Sequence, residues 1–176
     1  MQIKPTLFPE VLLIQPKLFA DNRGFFYESF NQAKYAELGI TKTFVQDNIS
    51  RSVKNTLRGM HYQVGKPQAK LVSVIKGEVF DVVVDIRENS PTFGKWFGQI
   101  LDDKNNFQLY IPEGFAHGFC VLSDTADFMY KCTDYYYPEG ERGILFNDPD
   151  VNIQWPIDIS QAILSDKDKV YPRLKA

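Results

Sequence analysis

Between Lys70 and Arg87 the chain runs through two β-type segments, Leu71-Val72-Ser73-Val74-Ile75 and Val79-Phe80-Asp81-Val82-Val83-Val84-Asp85-Ile86. β-Branched residues at this density are stiff at χ1 and suit a pleated surface better than a helix. Lys76-Gly77 between the segments is a turn signal, so a hairpin is predicted here. Further runs of the same kind, Trp96 to Leu101, Phe107 to Ile111, Gly118 to Leu122 and Phe128 to Thr133, are set apart by Gly, Pro, Asn or Asp. Many short strands so spaced predict an all-β sandwich or barrel. Helical signals are sparse. Asn31 to Gly39 has a capping Asn and a terminating Gly around Ala33, Tyr35, Ala36 and Leu38, and a second short helix is expected over Ser160 to Leu164.

The 176 residues, 44% hydrophobic and 14% aromatic, can fill one core and are too few for two ordinary domains. A single domain over 1–176 is expected, with its barrel core at about 40–145 and the polar stretch beyond Trp155-Pro156 wrapped around the outside. Twenty basic and 22 acidic residues are interspersed, for a net charge of −2. That balance argues against a nucleic-acid surface or a polybasic membrane patch and favours a small ligand. No apolar run is long enough to cross a bilayer, and Met1-Gln2-Ile3-Lys4-Pro5-Thr6 lacks the layout of a signal peptide, so a cytoplasmic location is expected. Cys120 and Cys132 lie in apolar, strand-like stretches and read as two buried thiols, with no chemistry assigned.

Only two histidines occur, His61 and His117. Pro112-Glu113-Gly114-Phe115-Ala116-His117 reads P-x-G-x-x-H and resembles the second motif of the cupin superfamily, in which that histidine binds a metal inside a jelly-roll barrel. Where the first cupin motif has H-x-H and then a glutamate before a glycine, this chain has His61-Tyr62-Gln63 and then Lys70 before Gly77. An amide and an ammonium thus stand in for an imidazole and a carboxylate. The exchange removes the anionic donor and adds a positive charge, which disfavours a divalent cation, so no metal is expected. A histidine facing a lysine in a concave apolar barrel instead offers a proton acceptor and a cation to steady an oxyanion, the parts for proton abstraction beside a carbonyl. Each of the three alone reads as an ordinary core or strand-end residue; their shared spacing is what sets them apart.

Longer stretches resemble the dTDP-4-dehydrorhamnose 3,5-epimerase family across nearly the whole chain. They are Asp21 to Glu28, Phe44 to Ser50, Leu57 to Gln63, Lys70-Leu71-Val72, Gly77 to Val82, Asp127 to Thr133, Tyr135-Tyr136, Gly143-Ile144, Asn147-Asp148-Pro149 and Leu164 to Asp168. The resemblance implies a cupin-like jelly roll with short peripheral helices. It also implies a cofactor-independent isomerase that inverts C3 and C5 of dTDP-4-keto-6-deoxy-D-glucose to give dTDP-4-keto-L-rhamnose. By that resemblance His61 is the base, Asp168 its partner, Tyr130 the acid on the opposite face, and Lys70 the enolate stabiliser. His117 is then a hydrogen-bonding neighbour and Asp81 a supporting carboxylate, which, if buried, needs a partner. Arg23 and Arg58 become the diphosphate and sugar contacts, since a guanidinium fork matches phosphate oxygens. Glu28, Gln46, Asp47, Asn48, Glu141 and Lys167 would surround the ligand, with Tyr136 against the thymine ring. A homodimer is implied too, and exchange of N-terminal strands between subunits is one form of it.

Three other readings remain open from the sequence. A mono-epimerase or ketoisomerase on a related dTDP-keto-sugar would act at one centre. A non-catalytic sugar-nucleotide-binding cupin would need the same arginines and Tyr136 but no base. A metal cupin oxygenase would need the ligands that Gln63 and Lys70 replace.

Overall fold

The computed structural model describes residues 1–174. In chain order its strands are β1 (Gln2–Lys4), β2 (Leu12–Gln15), β3 (Phe19–Asp21), β4 (Gly24–Phe26), β5 (Gln46–Val53), β6 (Leu57–Gln63) and β7 (Lys70–Lys76). They continue with β8 (Glu78–Asp85), β9 (Trp96–Asp102), β10 (Gln108–Ile111), β11 (Phe115–Val121), β12 (Thr125–Cys132) and β13 (Glu141–Gly143). Two antiparallel sheets face each other, one in the order β1-β2-β10-β7-β12-β5 and the other β13-β6-β11-β8-β9; β3 and β4 form a separate hairpin. This is the all-β, jelly-roll-like architecture expected. Strand positions follow the sequence closely, with the runs at Gly118 and Phe128 extended backward to Phe115 and Thr125.

The predicted hairpin at Lys76-Gly77 is not one. β7 pairs with β10 and β12, whereas β8 pairs with β11 and β9 in the opposite sheet. Gly77 is a corner at which the chain leaves one layer for the other. Its φ of +82° is open to glycine at little cost, and a Cβ there would collide with the Thr125 carbonyl oxygen and Ser123 Oγ. A tight corner and a hairpin turn ask for the same residue.

Helix α1 (Gln32–Ala36) forms where expected: the Asn31 side chain accepts from the N–H groups of Ala33 and Lys34, and Gly39 follows at φ +91°. The second expected helix, Ser160 to Leu164, is not there. A single 3-10 turn, Ile159–Gln161, is capped by Asp158, and Ile163 then enters a parallel bridge with Thr56. The Ile163 carbonyl accepts from Leu57 N–H at 3.0 Å while its own N–H donates to the Asn55 carbonyl at 2.9 Å. An edge that satisfies both backbone groups of Ile163 outcompetes one more helical turn.

Between the sheets lies a core that includes Val72, Val74, Val79, Val83, Leu109, Phe119 and Phe128. Phe119 and Phe128 stack across it at 4.2 Å between centroids; fully burying a side chain of this kind is worth about 1.5–3 kcal/mol. Helix α1 covers the outer face of the six-stranded sheet through Tyr35, and the segment with Val151, Ile153 and Trp155 covers the outer face of the other. Cys120 and Cys132 are buried free thiols, and burial pushes the Cys120 thiol up to about 12. The interior is apolar at one end only. On β5 the alternation of half-buried and exposed residues turns Gln46, Asn48, Ser50 and Ser52 inward, so that strand lines a cavity rather than a core.

Candidate active site

The cavity has a volume of about 820 Å³ and opens between the two sheets. Strand register brings its side chains together. On β6 and β11, His61 stands directly across from His117. On the facing sheet, Lys70 of β7 is paired with Cys132 of β12, which is paired with Gln46 of β5; in the next inward row Tyr130 is paired with Asn48. Residues opposed in register share a face. The two histidines therefore project from one sheet, and Lys70 and Tyr130 from the other.

His61 Nε2 lies 2.6 Å from Asp168 Oδ1. Asp168 arrives on the segment after Ile163, where its N–H donates to Ser165 Oγ at 3.3 Å. Burial pushes its carboxyl upward, but the His61 hydrogen bond and charge outweigh that and hold its pKa below the ordinary value. An ionised carboxylate keeps the proton on Nε2 and leaves Nδ1 as the free lone pair. The imidazole remains partly open to the cavity, with its side chain 26% exposed.

A second pair lies deeper. His117 Nε2 is 2.8 Å from Asp81 Oδ2, and Asp81 Oδ1 has no hydrogen-bond partner among the described residues. Burial drives both toward neutrality, raising Asp81 against the pull of His117 and Lys70 and lowering His117 against the pull of Asp81. The partner that a buried Asp81 requires is therefore His117. Burial also lowers the Lys70 ammonium, opposed by Cys132, Asp81 and Glu141, and raises the Tyr130 hydroxyl.

Toward the opening, the Tyr136 hydroxyl donates to Glu141 Oε2 at 2.9 Å, while Lys167 is paired with Glu141 Oε1. Gln46 Oε1 accepts from the Tyr136 N–H at 2.9 Å, its Nε2 donates to Asn48, and Arg58 Nε donates to Ser52 Oγ at 3.1 Å. Three of the expected ligand residues are not among those lining this cavity. Asp47 points away on β5 and accepts from Lys131 at 2.8 Å. Arg23, on the β3–β4 hairpin, is ion-paired with Asp21, and Glu28, just beyond it, with Lys34.

Gln63 takes no position as a ligand. Its Nε2 donates to the carbonyls of Lys66 and Tyr135, and its Oε1 accepts from Tyr137 N–H at 2.9 Å, so the amide fastens two loops. With an ammonium at Lys70 as well, this donor set does not suit a divalent cation. A residue that the sequence reading missed is Tyr171, whose ring meets His61 edge-on at 5.6 Å. It lies in the polar tail, where no periodicity marks an inward position.

The family model of dTDP-4-dehydrorhamnose 3,5-epimerase matches residues 5–176. The dTDP-4-dehydrorhamnose 3,5-epimerase of Escherichia coli K12 is 54% identical over 96% of this chain and 92% of its own length. The Neisseria gonorrhoeae protein of the same name is also 54% identical over 96% of this chain, which spans about half, 51%, of that longer relative. A crystal structure of dTDP-6-deoxy-D-glucose-3,5-epimerase from Legionella pneumophila, in complex with dTDP-4-keto-L-rhamnose, is 55% identical and superposes with a TM-score of 0.93 over 99% of both chains.

Proposed function

This chain belongs to the dTDP-4-dehydrorhamnose 3,5-epimerase family and is an epimerase, and from that premise we propose that it inverts C3 and C5 of dTDP-4-keto-6-deoxy-D-glucose with His61 as base and Tyr130 as acid. The observation that carries this reading is the placement of His61 and Tyr130 on opposite sheets across one cavity. Both C3 and C5 flank the C4 ketone, so either C–H bond can break with its electron pair passing to the carbonyl oxygen. His61 Nδ1 takes the proton, and Asp168 stabilises the imidazolium that forms. Lys70 places its cation at the enolate oxygen, where burial strengthens the attraction. Tyr130 then gives its hydroxyl proton to the opposite face of the same carbon, which inverts it; solvent reprotonates the tyrosine and takes the proton from His61 before the second carbon reacts and again between turnovers.

Arg58, Gln46, Asn48, Glu141 and Lys167 hold the nucleotide end, with Tyr136 against the thymine ring. Arg23, Glu28 and Asp47 lie outside their own cavity. The β3–β4 hairpin exposes Phe19, Phe25 and Phe26 at 54%, 56% and 68%, an apolar patch of the kind that partners cover. We assign it to a homodimer in which Arg23 and Glu28 serve the ligand of the second copy, working in the cytoplasm on a free sugar nucleotide. No metal takes part, because Gln63 is committed to its loops and Lys70 repels a cation. Active protein stripped with a chelator should keep its turnover, and stoichiometric metal needed for activity would overturn this point.

The test is NMR of the sugar after incubation in D₂O. His61→Ala should abolish exchange at C3 and C5. Tyr130→Phe should still exchange while inversion falls by on the order of 10²–10⁴-fold. Wild-type exchange in His61→Ala would remove the base from this assignment, and normal inversion of both centres by Tyr130→Phe would leave Tyr130 as a barrel aromatic.

A further inference from the structure

Asp168 contacts His61 at one ring nitrogen, and an imidazole held at one point can pivot about it. The neighbouring strand leaves room beside the ring for a side chain that bears on this pivot. His61 is paired across β6 and β13 with Gly143, and on its other side with His117. Opposed residues share a face, so the absent side chain at Gly143 leaves a slot directly beside the imidazole. The Tyr171 ring fills that slot. A Cβ on Gly143 would come within 2.6 Å of both Cδ2 and Cε2 of Tyr171 and within 2.8 Å of the Met60 carbonyl oxygen. The ring meets the imidazole edge-on, 5.6 Å between centroids at an interplanar angle of 69°, one of the favoured geometries for an aromatic pair.

Tyr171 is also fixed from behind. The Pro172 carbonyl accepts from Leu145 N–H at 2.8 Å, and Leu174 N–H donates at 2.6 Å to Oδ2 of Asp148, a residue only 1% exposed. Asp168 and Tyr171 thus arrive on one short stretch of chain, the first bonding the imidazole and the second wedging its flank.

We propose that Tyr171 is a positioning residue for His61: seated in the slot left by Gly143, its ring keeps the imidazole in the rotamer that joins Nε2 to Asp168 and presents Nδ1 to the substrate. This rests on the reading of His61 as the base. The ring performs the task, so the hydroxyl is dispensable. Misplacement of a reacting group by about 1 Å can cost on the order of 10²-fold in rate while leaving the rest of the binding surface intact.

The experiment compares Tyr171→Ala, Tyr171→Phe and His61→Ala for kcat, KM and deuterium uptake at C3 and C5, with a thermal melt of each. Tyr171→Ala should lose roughly 10–10²-fold in kcat and in exchange at both carbons, with KM within about twofold of wild type. Tyr171→Phe should recover to within about threefold. Unchanged kcat in the alanine variant, a raised KM with kcat intact, or a phenylalanine variant as impaired as the alanine one would each overturn the proposal. If Tyr171→Ala does not fold, Tyr171→Leu takes its place, and wild-type exchange in a folded leucine variant overturns the proposal equally. When His61→Ala is silent in exchange, a negative Tyr171 result removes the positioning role alone. Persistent exchange in His61→Ala removes the base and this role with it.

Discussion

Two histidine–carboxylate pairs stand side by side in this cavity, built from the same residue types at nearly the same separation, 2.6 Å for His61–Asp168 and 2.8 Å for His117–Asp81. Their electrostatics run in opposite directions. The pair at the cavity opening keeps an ionised carboxylate, because the bonds to Asp168 outweigh its burial. In the deep pair burial prevails and both partners are drawn toward their neutral forms. The lesson is that a hydrogen-bonded His–Asp pair is a base only where the charge it must acquire can be tolerated. His61 can become imidazolium against a carboxylate that is already anionic, whereas His117 is better suited to donating a hydrogen bond as a neutral ring.

The comparison breaks most readily at Asp168. Asp168→Asn should leave the cavity in place but allow the wrong imidazole tautomer, and kcat should fall by up to about 10⁴-fold. Single-turnover kinetics with a binding assay check this, and a variant within tenfold of wild-type kcat would show that the two pairs are interchangeable. Next in size is Lys70→Met. Removing the half-buried ammonium facing both histidines should lower kcat by roughly 10²–10³-fold at similar KM; a weaker KM with unchanged kcat would make Lys70 a binding group instead.

The smallest effect sharpens the contrast through pH. The folded pKa of Asp168 is lowered, so its stabilisation is full above the unfolded carboxylate value of about 3.9 and is lost as pH falls through the folded value. The folded pKa of Asp81 is raised, so its contribution is full below that unfolded value and is lost as pH rises through the folded one. In urea unfolding between about pH 3 and pH 7, the deficit of Asp168→Asn against wild type should shrink toward acid. Asp81→Asn should gain on wild type toward neutrality. Two variants that track wild type in parallel would sink the distinction.

How much of this could be seen in the sequence differs from one residue to the next. Strands showed well because β-branched runs broken by Gly and Asn have few other uses, and His61, Lys70 and His117 showed because their spacing matches the cupin motifs even though the ligand types do not. Gly77 was misjudged because turn chemistry is local, whereas membership of a sheet is decided by β10 and β11, far along the chain. Asp168 was visible only through resemblance, lying as it does in the charged stretch Asp166 to Lys169. Tyr171 was invisible, since its place depends on an absent side chain at Gly143 and on backbone bonds to Leu145 and Asp148. Arg23 suits a diphosphate by its chemistry and Glu28 came only through resemblance, but no local pattern tells whether the β3–β4 hairpin folds over its own cavity or away from it.

The Gln63 amide has a bearing on design. Its bonds to Lys66, Tyr135 and Tyr137 tie together two loops. Placing an imidazole there would release both before any ion could bind, and exchanging Lys70 for a carboxylate would set a second acid facing Asp81. Each exchange gives up a contact that the present residue makes, so a metal site cannot be installed by changing the two ligands alone. An engineer wanting a metallo-oxygenase from this scaffold would have to rebuild the loops first.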